Sequence, residues 1–272
     1  MVDPGATALI TDFDGTLSPI VADPGAARPL EGVVDLLHRL CRRFAVVAVV
    51  SGRPAAFLAE RLSPTGGSPP PPDGAAHPLR LIGLYGLEEV DADGTVRLTP
   101  EALPWVTVVA GVARRLADEA PTGVRVEVKG AAVTVHWRQA PESEGWVVRL
   151  VAGEAARTGL VPYPGRASIE LRPPLTIDKG TVVRGLTDGC RAACFLGDDL
   201  GDLPAYAALA RRSVEDGTPV VGVAVRDAET SPDVLAVADL VVDGPAGARD
   251  VLAWLESAAG PGDPDGTGAP QV

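Results

Sequence analysis

The chain has 272 residues, of which 46% are hydrophobic, 22% are charged and 4% are aromatic. It is long and apolar enough for one large domain or two modest ones, and this composition excludes a wholly disordered chain. The net charge of −12 argues against nucleic-acid binding, because a phosphate backbone attracts a basic surface. The longest apolar run, Phe44–Val50, is far shorter than the roughly 18 residues of a membrane span. With an odd number of cysteines and no visible secretory signal, we expect a soluble, cytoplasmic protein.

The first part of the sequence predicts strands that alternate with helices. Continuous apolar runs are typical of buried strands in a parallel sheet, and apolar residues spaced three and four apart indicate an amphipathic helix. A run rich in proline and glycine fits neither a central strand nor a helix interior, and predicts a surface linker. The predicted elements are a strand at 8–12, a helix at 30–43, a strand at 45–50, a helix at 54–62, a linker at 63–78, a strand at 79–85 and a hairpin at 89–98.

The middle of the chain changes to alternating strands around a tight turn, which predicts an antiparallel α+β module inserted into the larger fold. After Pro173-Pro174 the pattern of buried strand and helix returns. The elements are a helix at 101–119, strands at 124–128 and 132–138, a helix at 142–158 and a strand at 168–172, followed by a helix at 179–187, a strand at 193–196, a helix at 203–212, strands at 220–225 and 240–242, and a last helix to about 257.

These elements predict an α/β fold, a doubly wound parallel (Rossmann-like) sheet core with a small inserted α+β domain. We expect the core to comprise residues 1–99 and 175–259, the inserted domain 100–174, and a disordered tail 260–272.

Acidic residues follow two of the predicted core strands. In open α/β sheets the sites form at the carboxyl ends of the strands, so these side chains converge on one edge. So many acids resist ionising together unless a cation lies among them, and Mg²⁺ with a phosphate ester is the best fit to an all-oxygen set. For any single aspartate, a solvated acidic loop remains the alternative. The converging residues are Asp12, Asp14, Ser51, Lys179, Asp198, Asp199 and Asp202.

Asp12 and Asp14 lie two positions apart, so on an extended segment they face the same way. One carboxylate can then attack phosphorus while the other protonates the leaving oxygen and later deprotonates water. Ser51 and Lys179 would bind the phosphoryl oxygens. Of the 24 cationic residues only Lys129 and Lys179 are lysines. Either an ammonium is specifically required at these two positions, or they are a chance remainder of GC-rich coding.

The motifs that carry this chemistry resemble, in order, the four motifs of the haloacid-dehalogenase-like phosphotransferases. Those motifs are Asp12–Leu17 (DFDGTL), Ser51-Gly52-Arg53, Lys179-Gly180 and Gly197-Asp198-Asp199 with Asp202. Within that superfamily, about residues 7–257 resemble the trehalose-6-phosphate phosphatases. The more specific segments are DFDGTLSPI at 12–20, GLYGLE at 83–88, VEVK at 126–129, VHWR at 135–138 and IELRPPLTIDKG at 169–180.

The resemblance implies roles for the core acids. Asp12 would be the nucleophile and Asp14 the acid/base. Asp12, the main-chain carbonyl of Asp14, and Asp198 would hold Mg²⁺, with Asp199 and Asp202 supporting them. The inserted domain would be a mobile cap that closes over a sugar phosphate.

The cap supplies carboxylates and cations that suit sugar hydroxyl groups, in pairs two positions apart on its strands. The alternative is a solvated sheet face with cross-strand ion pairs. For His136, a hydrogen-bonded structural histidine is favoured over a substrate contact, and Arg53 either lies near the site or caps neighbouring carboxylates. The predicted substrate-binding set is Ser51, Gly52, Arg53, Glu127, Lys129 and Glu170, with Arg172 beside Glu170.

The sequence also departs from the family pattern. Gly201 and Leu203 stand where the family usually has Thr and Glu, and Tyr85 stands where many relatives carry His. The resemblance therefore favours trehalose 6-phosphate but leaves sucrose phosphate and glycosyl-phosphoglycerate open. A non-catalytic sugar-phosphate-binding partner of a synthase is the third alternative. We expect a small sugar phosphate as the partner, and the sequence leaves the oligomeric state open, with a monomer slightly favoured.

Overall fold

The computed structural model describes residues 3–21, 23–63, 77–165 and 167–260. The predicted linker at 63–78 falls mostly outside these ranges, and of the predicted tail at 260–272 only Gly260 is described. Within the described part of the chain, no helix is both long enough and apolar enough to cross a bilayer.

The described strands form two separate sheets, one of eight strands and one of four. In chain order they are β1 (Thr7–Thr11), β2 (Val46–Val50), β3 (Arg80–Gly83), β4 (Glu88–Val90), β5 (Val96–Leu98), β6 (Arg125–Lys129), β7 (Ala132–His136), β8 (Val161–Gly165), β9 (Ser168–Arg172), β10 (Ala192–Gly197), β11 (Val220–Arg226) and β12 (Leu240–Asp243).

The α-helices flank both sheets. They are α1 (Val33–Leu40), α2 (Ala55–Leu62), α3 (Leu103–Glu119), α4 (Glu144–Thr158), α5 (Lys179–Thr187), α6 (Leu203–Asp216), α7 (Pro232–Val237) and α8 (Gly244–Ala258). The amphipathic pattern of α1 is visible in its packing, since Leu36, Leu37 and Leu40 are all buried.

The eight-stranded sheet has the order β12-β11-β10-β1-β2-β3-β4-β5. The strands from β12 to β3 are parallel, and β4 and β5 extend the sheet as an antiparallel hairpin. One face packs against α1, α2 and α8, and the other against α5, α6 and α7. This confirms the predicted doubly wound α/β class: β2 and β3 lie on one side of β1 and β10 to β12 on the other, so the order of strands changes direction between β1 and β10.

The four-stranded sheet has the order β6-β7-β9-β8, and every pair in it is antiparallel. Its apolar face packs against α3 and α4 around Val133, Val135 and Leu171. Strand alternation places polar side chains on the opposite face, where Glu127, Thr134 and Glu170 lie side by side in register.

The structure differs from the sequence predictions in three places: it has two additional elements and one shorter strand. Strand β8 was not predicted, because Pro162 and Pro164 cannot donate ladder hydrogen bonds, but β8 lies at a sheet edge where proline is tolerated. The short helix α7 was also not predicted, and Ser231 caps it by accepting from the Asp233 N–H. The strand predicted at 79–85 ends at Gly83, after which Leu84 and Tyr85 form a left-handed turn.

Candidate active site

Asp12 and Asp198 come together because their strands are neighbours. β1 and β10 pair in parallel with Thr11 beside Leu196, and the Asp12 N–H donates to the Leu196 carbonyl at 2.8 Å. Both carboxylates therefore lie at the carboxyl edge of the sheet, where they are buried.

Lys179 places its ammonium among these acids. It is the first residue of α5, and its Nζ lies 2.9 Å from Asp12 Oδ1 and 2.6 Å from Asp202 Oδ1. Burial alone would lower the pKa of Lys179, but Asp12 and Asp202 outweigh it and raise that pKa well above its usual value. Lys179 is thus a fixed positive charge beside Asp12.

Asp202 is fully buried and supports the loop after β10. Its Oδ2 accepts from the main-chain N–H groups of Asp198 at 2.9 Å and Asp199 at 3.1 Å, while Oδ1 accepts from Lys179. Both oxygens are therefore bonded to groups of the protein.

The loop after β1 brings its backbone against Asp198. Gly15 has a φ of +72°, and a Cβ there would lie 1.9 Å from Asp198 Oδ2, so any side chain would collide with the carboxylate. The next residue, Thr16, donates its hydroxyl to Asp198 Oδ1 at 3.0 Å. Sequence reasoning gave Thr16 no contact, because its partner lies far along the chain.

The buried acids exceed the cations that face them. Carboxylate oxygens of Asp12, Asp198 and Asp202 all lie within 4.8 Å of one another. Burial, followed by repulsion from Asp12, raises the pKa of Asp198 to about 9. Burial likewise raises the pKa of Asp12, which Lys179 only partly offsets. A compact set of carboxylate oxygens that resists ionisation fits a hard divalent cation such as Mg²⁺.

Asp14 is not part of that three-aspartate set and pairs with Arg53 instead. The guanidinium donates from Nε to Asp14 Oδ2 and from Nη2 to Oδ1, both at 2.7 Å. Arg53 also lies 4.7 Å from the centre of the Phe57 ring and donates to the Pro24 carbonyl. A two-pronged ion pair of this kind fixes the plane of the Asp14 carboxylate.

The residues from Ser51 to Arg53 follow β2, the strand next to β1. The Ser51 side chain is buried, and its Oγ accepts from the Arg53 N–H at 3.2 Å. A Cβ on Gly52 would lie 2.5 Å from the hydroxyl of Tyr85, so the tyrosine packs directly on this loop. The short turn thus presents main-chain and hydroxyl groups close to Asp12.

The polar face of the second sheet forms a charge-matched network. Glu170 Oε2 accepts from Thr134 at 2.9 Å and from Lys129 at 3.2 Å, and its Oε1 accepts from Arg172. Burial opposes the ionisation of Glu170, but Arg172 and Lys129 together outweigh it and lower its pKa.

Glu127 lies in the same network beside His136. Its Oε2 lies 2.8 Å from His136 Nε2, and this hydrogen bond lowers the pKa of Glu127 to about 2. Burial alone would lower the pKa of Arg53, but Asp14 outweighs it, and the Glu127 charge adds to the increase. On the same face as Glu170, Arg172 lies 3.7 Å from the centre of the Tyr85 ring, which packs on Gly52, so this polar face is turned toward the loop that carries Arg53.

The trehalose-phosphatase family profile matches residues 10–234 of the chain. The chain belongs to the trehalose-phosphatase family. Trehalose-phosphate phosphatase of Mycobacterium avium is 35% identical over 254 residues, which are 89% of this chain and 60% of that protein. The chain thus spans less than two thirds of the length of that curated relative.

Two solved structures have the same fold. One is described as a trehalose-6-phosphate phosphatase related protein, with a TM-score of 0.72, 23% identity, and coverage of 92% of this chain and 98% of that one. The other is Aspergillus fumigatus trehalose-6-phosphate phosphatase, with a TM-score of 0.60, 25% identity, and coverage of 93% of each chain.

The structure gathers the predicted residues into two groups, one on each sheet, and Arg172 of the second sheet stacks on Tyr85 beside the first group. The core group lies at the carboxyl edge of the eight-stranded sheet, and Glu127, Lys129 and Glu170 lie on the polar face of the second sheet. Sequence reasoning missed Tyr163, which lies on the unpredicted strand β8 and stacks on Arg172. The alternation of β8 was hidden by its prolines.

Proposed function

We propose that this chain hydrolyses trehalose 6-phosphate to trehalose and inorganic phosphate, with Asp12 as the residue that carries the phosphoryl group. The contact of Lys179 Nζ with Asp12 Oδ1 at 2.9 Å, beside the buried Asp198, is the observation that supports it best. An ammonium there can bind a phosphoryl oxygen, and it favours the ionised form of Asp12 that attacks.

Mg²⁺ is the cofactor we propose, held by Asp12, Asp198 and the main-chain carbonyl of Asp14. When bound it would neutralise the clustered acids and withdraw charge from the phosphoryl oxygens. Asp202 is better suited to support than to ligation, because both of its oxygens are already bonded. The Thr16 hydroxyl donates a hydrogen bond to Asp198 and so orients that carboxylate.

In the first step, an oxygen of Asp12 attacks phosphorus and the bond between phosphorus and the sugar oxygen breaks. Asp14 donates its proton to that leaving oxygen, and trehalose departs. Lys179 and Ser51 bind the oxygens of the phosphoryl group as it passes to Asp12. In the ligand-free protein Arg53 holds the Asp14 carboxylate through its two hydrogen bonds, so one of them opens when Asp14 carries the proton that it donates.

In the second step, water attacks phosphorus and the bond between phosphorus and Asp12 breaks. Asp14, now deprotonated, takes a proton from that water, so both carboxylates return to their starting states. The products are inorganic phosphate and the free enzyme.

We further propose that residues 100–174 act as a cap that covers the sugar. A disaccharide offers many hydroxyl groups and no charge of its own, so it is recognised by ordered donors and acceptors. Glu127, Lys129 and Glu170 provide these on one sheet face, and Arg172 of that face contacts Tyr85, which packs on the loop that carries Arg53. Their mutual ion pairs keep the side chains in place for hydrogen bonding to the sugar.

Phosphate release from a panel of sugar phosphates, with and without Mg²⁺, tests the proposal. The panel includes trehalose 6-phosphate, sucrose phosphate, glucose 6-phosphate and a glycosyl-phosphoglycerate. We expect the highest kcat/KM for trehalose 6-phosphate and no turnover after chelation. Better turnover of another ester, or full activity without a divalent cation, would overturn it.

A further inference from the structure

The guanidinium of Arg172 lies between two tyrosine rings. Its central carbon is 3.7 Å from the centre of the Tyr85 ring and 4.4 Å from the centre of the Tyr163 ring. We call this arrangement the Tyr85–Arg172–Tyr163 stack. A planar cation between two π faces is attracted to both, and only a guanidinium has the shape to stack on the two rings at once.

The stack joins the two sheets of the molecule. Tyr85 lies in the turn that follows β3 of the eight-stranded sheet, whereas Arg172 and Tyr163 lie on β9 and β8 of the second sheet. On the second sheet the stack is next to Glu170, which pairs in register with Tyr163 and accepts from Arg172 Nε. The position of the Glu170 carboxylate therefore depends on the position of Arg172.

The Tyr85 end of the stack is hydrogen-bonded to the Ser51–Arg53 loop. Tyr85 donates its main-chain N–H to the Ser51 carbonyl at 2.9 Å, and Leu84 donates to the Arg53 carbonyl at 2.9 Å. Leu84 and Tyr85 have φ values of 49° and 60°, in the left-handed region that non-glycine residues seldom adopt. These hydrogen bonds hold the strained turn in place, so the Tyr85 ring has one fixed orientation.

We propose that Tyr85 is a positioning residue that sets the selectivity of the site for a disaccharide phosphate over small phosphate esters. Through the stack, Tyr85 fixes Arg172 and Glu170 of the second sheet relative to the Ser51–Arg53 loop. A disaccharide phosphate is bound by the core site and the second sheet together, so it requires a correct distance and orientation between them. A small ester requires the core site alone. This inference rests on the proposed function for its substrate.

Steady-state kinetics with trehalose 6-phosphate and with para-nitrophenyl phosphate test the inference in the intact chain. Tyr85→Ala removes the ring, and we expect KM for the sugar phosphate to rise about tenfold while kcat/KM for the small ester stays within about twofold. Tyr85→Phe keeps the ring and should behave like the wild type. Arg172→Lys keeps the charge but loses the planar group, and should match Tyr85→Ala.

A matched control lies on the same sheet. Val128 is exposed and lies on the face opposite Glu127 and Lys129, so Val128→Ala should change neither substrate. Equal losses for both substrates in Tyr85→Ala, or an unchanged KM for the sugar phosphate, would overturn the positioning role. If Tyr85→Ala does not fold, Arg172→Lys and Tyr163→Ala test the same stack from the second sheet.

Hydrogen exchange of β8 and β9 provides a readout that is independent of turnover. In the ligand-free protein, Tyr85→Ala should accelerate exchange in both strands, while Tyr85→Phe and Val128→Ala should not. Exchange that stays at the wild-type rate in Tyr85→Ala would contradict the coupling. A wild type that does not hydrolyse trehalose 6-phosphate would refute the proposed function, and the exchange result would still decide whether the stack couples the sheets.

Discussion

The two charged regions of the molecule balance their charges in opposite ways. At the carboxyl edge of the large sheet, buried aspartates outnumber the single ammonium of Lys179 that bonds Asp12, and the pKa of Asp198 is raised to about 9. On the polar face of the second sheet each carboxylate has its own cation or histidine partner, and the pKa of Glu127 is lowered to about 2. A region with excess acid suits a metal ion and a phosphate, whereas a balanced one suits neutral hydroxyl groups.

The largest effect that this contrast predicts is at the nucleophile. Asp12→Asn should reduce turnover of every substrate by at least about 10³-fold, because the amide cannot form the covalent intermediate. Phosphate release measures it. Asp35→Asn removes an exposed acid on α1 and should leave turnover unchanged. A retained rate in Asp12→Asn would mean that Asp12 does not carry the phosphoryl group, whereas no turnover in the wild type would favour a binding partner without catalysis.

Arg53 belongs to the core region, so its loss should affect all substrates. We expect Arg53→Lys to lower kcat about 10-fold to 100-fold, since an ammonium cannot bind both oxygens of Asp14 and the acid/base would lose its orientation. The pH profile of kcat should change with it.

Arg61 offers a matched control for Arg53. It lies 4.7 Å from the centre of the same Phe57 ring, but its hydrogen bonds go to Glu60 and to the carbonyls of Gly25 and Ala27. Arg61→Lys should retain kcat within about twofold. Equal losses in both variants would mean that the stacking on Phe57, and not the contact with Asp14, is what matters.

The second region should discriminate between substrates. Glu170→Ala is expected to raise KM for trehalose 6-phosphate about tenfold, because hydrogen bonds to a charged group are lost, with little change for para-nitrophenyl phosphate. Glu154 is equally buried and pairs with Arg115 at 2.8 Å between α3 and α4, on the apolar side of the same sheet. Glu154→Ala should lower thermal stability but leave the ratio of kcat/KM for the two substrates unchanged. A changed ratio would contradict a specific recognition role for Glu170.

The smallest effect is a pH dependence of stability with opposite signs in the two regions. Asp198 has a raised pKa, so its contribution in the metal-free protein is complete below about pH 4 and is lost as the pH rises toward about 9. Glu170 has a lowered pKa, so its contribution is present above its ordinary pKa and is lost as the pH falls.

Melting temperatures of the chelated protein between pH 4 and pH 9 check this dependence. Asp198→Asn should flatten the decline toward high pH, and added Mg²⁺ should stabilise the wild type most at high pH. A melting temperature that rises across the whole interval would contradict the excess of buried acid.

Much of the core could be predicted from sequence because its signals are local. Uninterrupted apolar runs identified β1 and β2, and the acids that follow β1 and β10 had to meet at the same edge. Two contacts could not be predicted from local sequence patterns: the contact of Arg53 with Asp14, and the contact of Tyr85 with Arg172. Each joins residues on different elements, and the packing of the intervening chain decides which side chains meet.

Strand β8 illustrates a second kind of limit. Its prolines are evidence against a central strand, and the sequence alone does not say that the segment lies at an edge. The position at the edge is what brings Tyr163 against Arg172. The charged pairs of β6 and β9 were predicted correctly to share a face, since alternation is a property of each strand by itself.

The hydrogen bond between Thr16 and Asp198 has a consequence for synthesis of the protein, because it spans 182 positions. The second sheet is continuous in sequence and can pair its strands as soon as β9 leaves the ribosome. The core acids, in contrast, stay apart until β10 docks beside β1. A nascent chain can therefore form the second sheet before the core is complete, and the buried aspartates come together only after β10 and the loop that carries Asp202 have been synthesised.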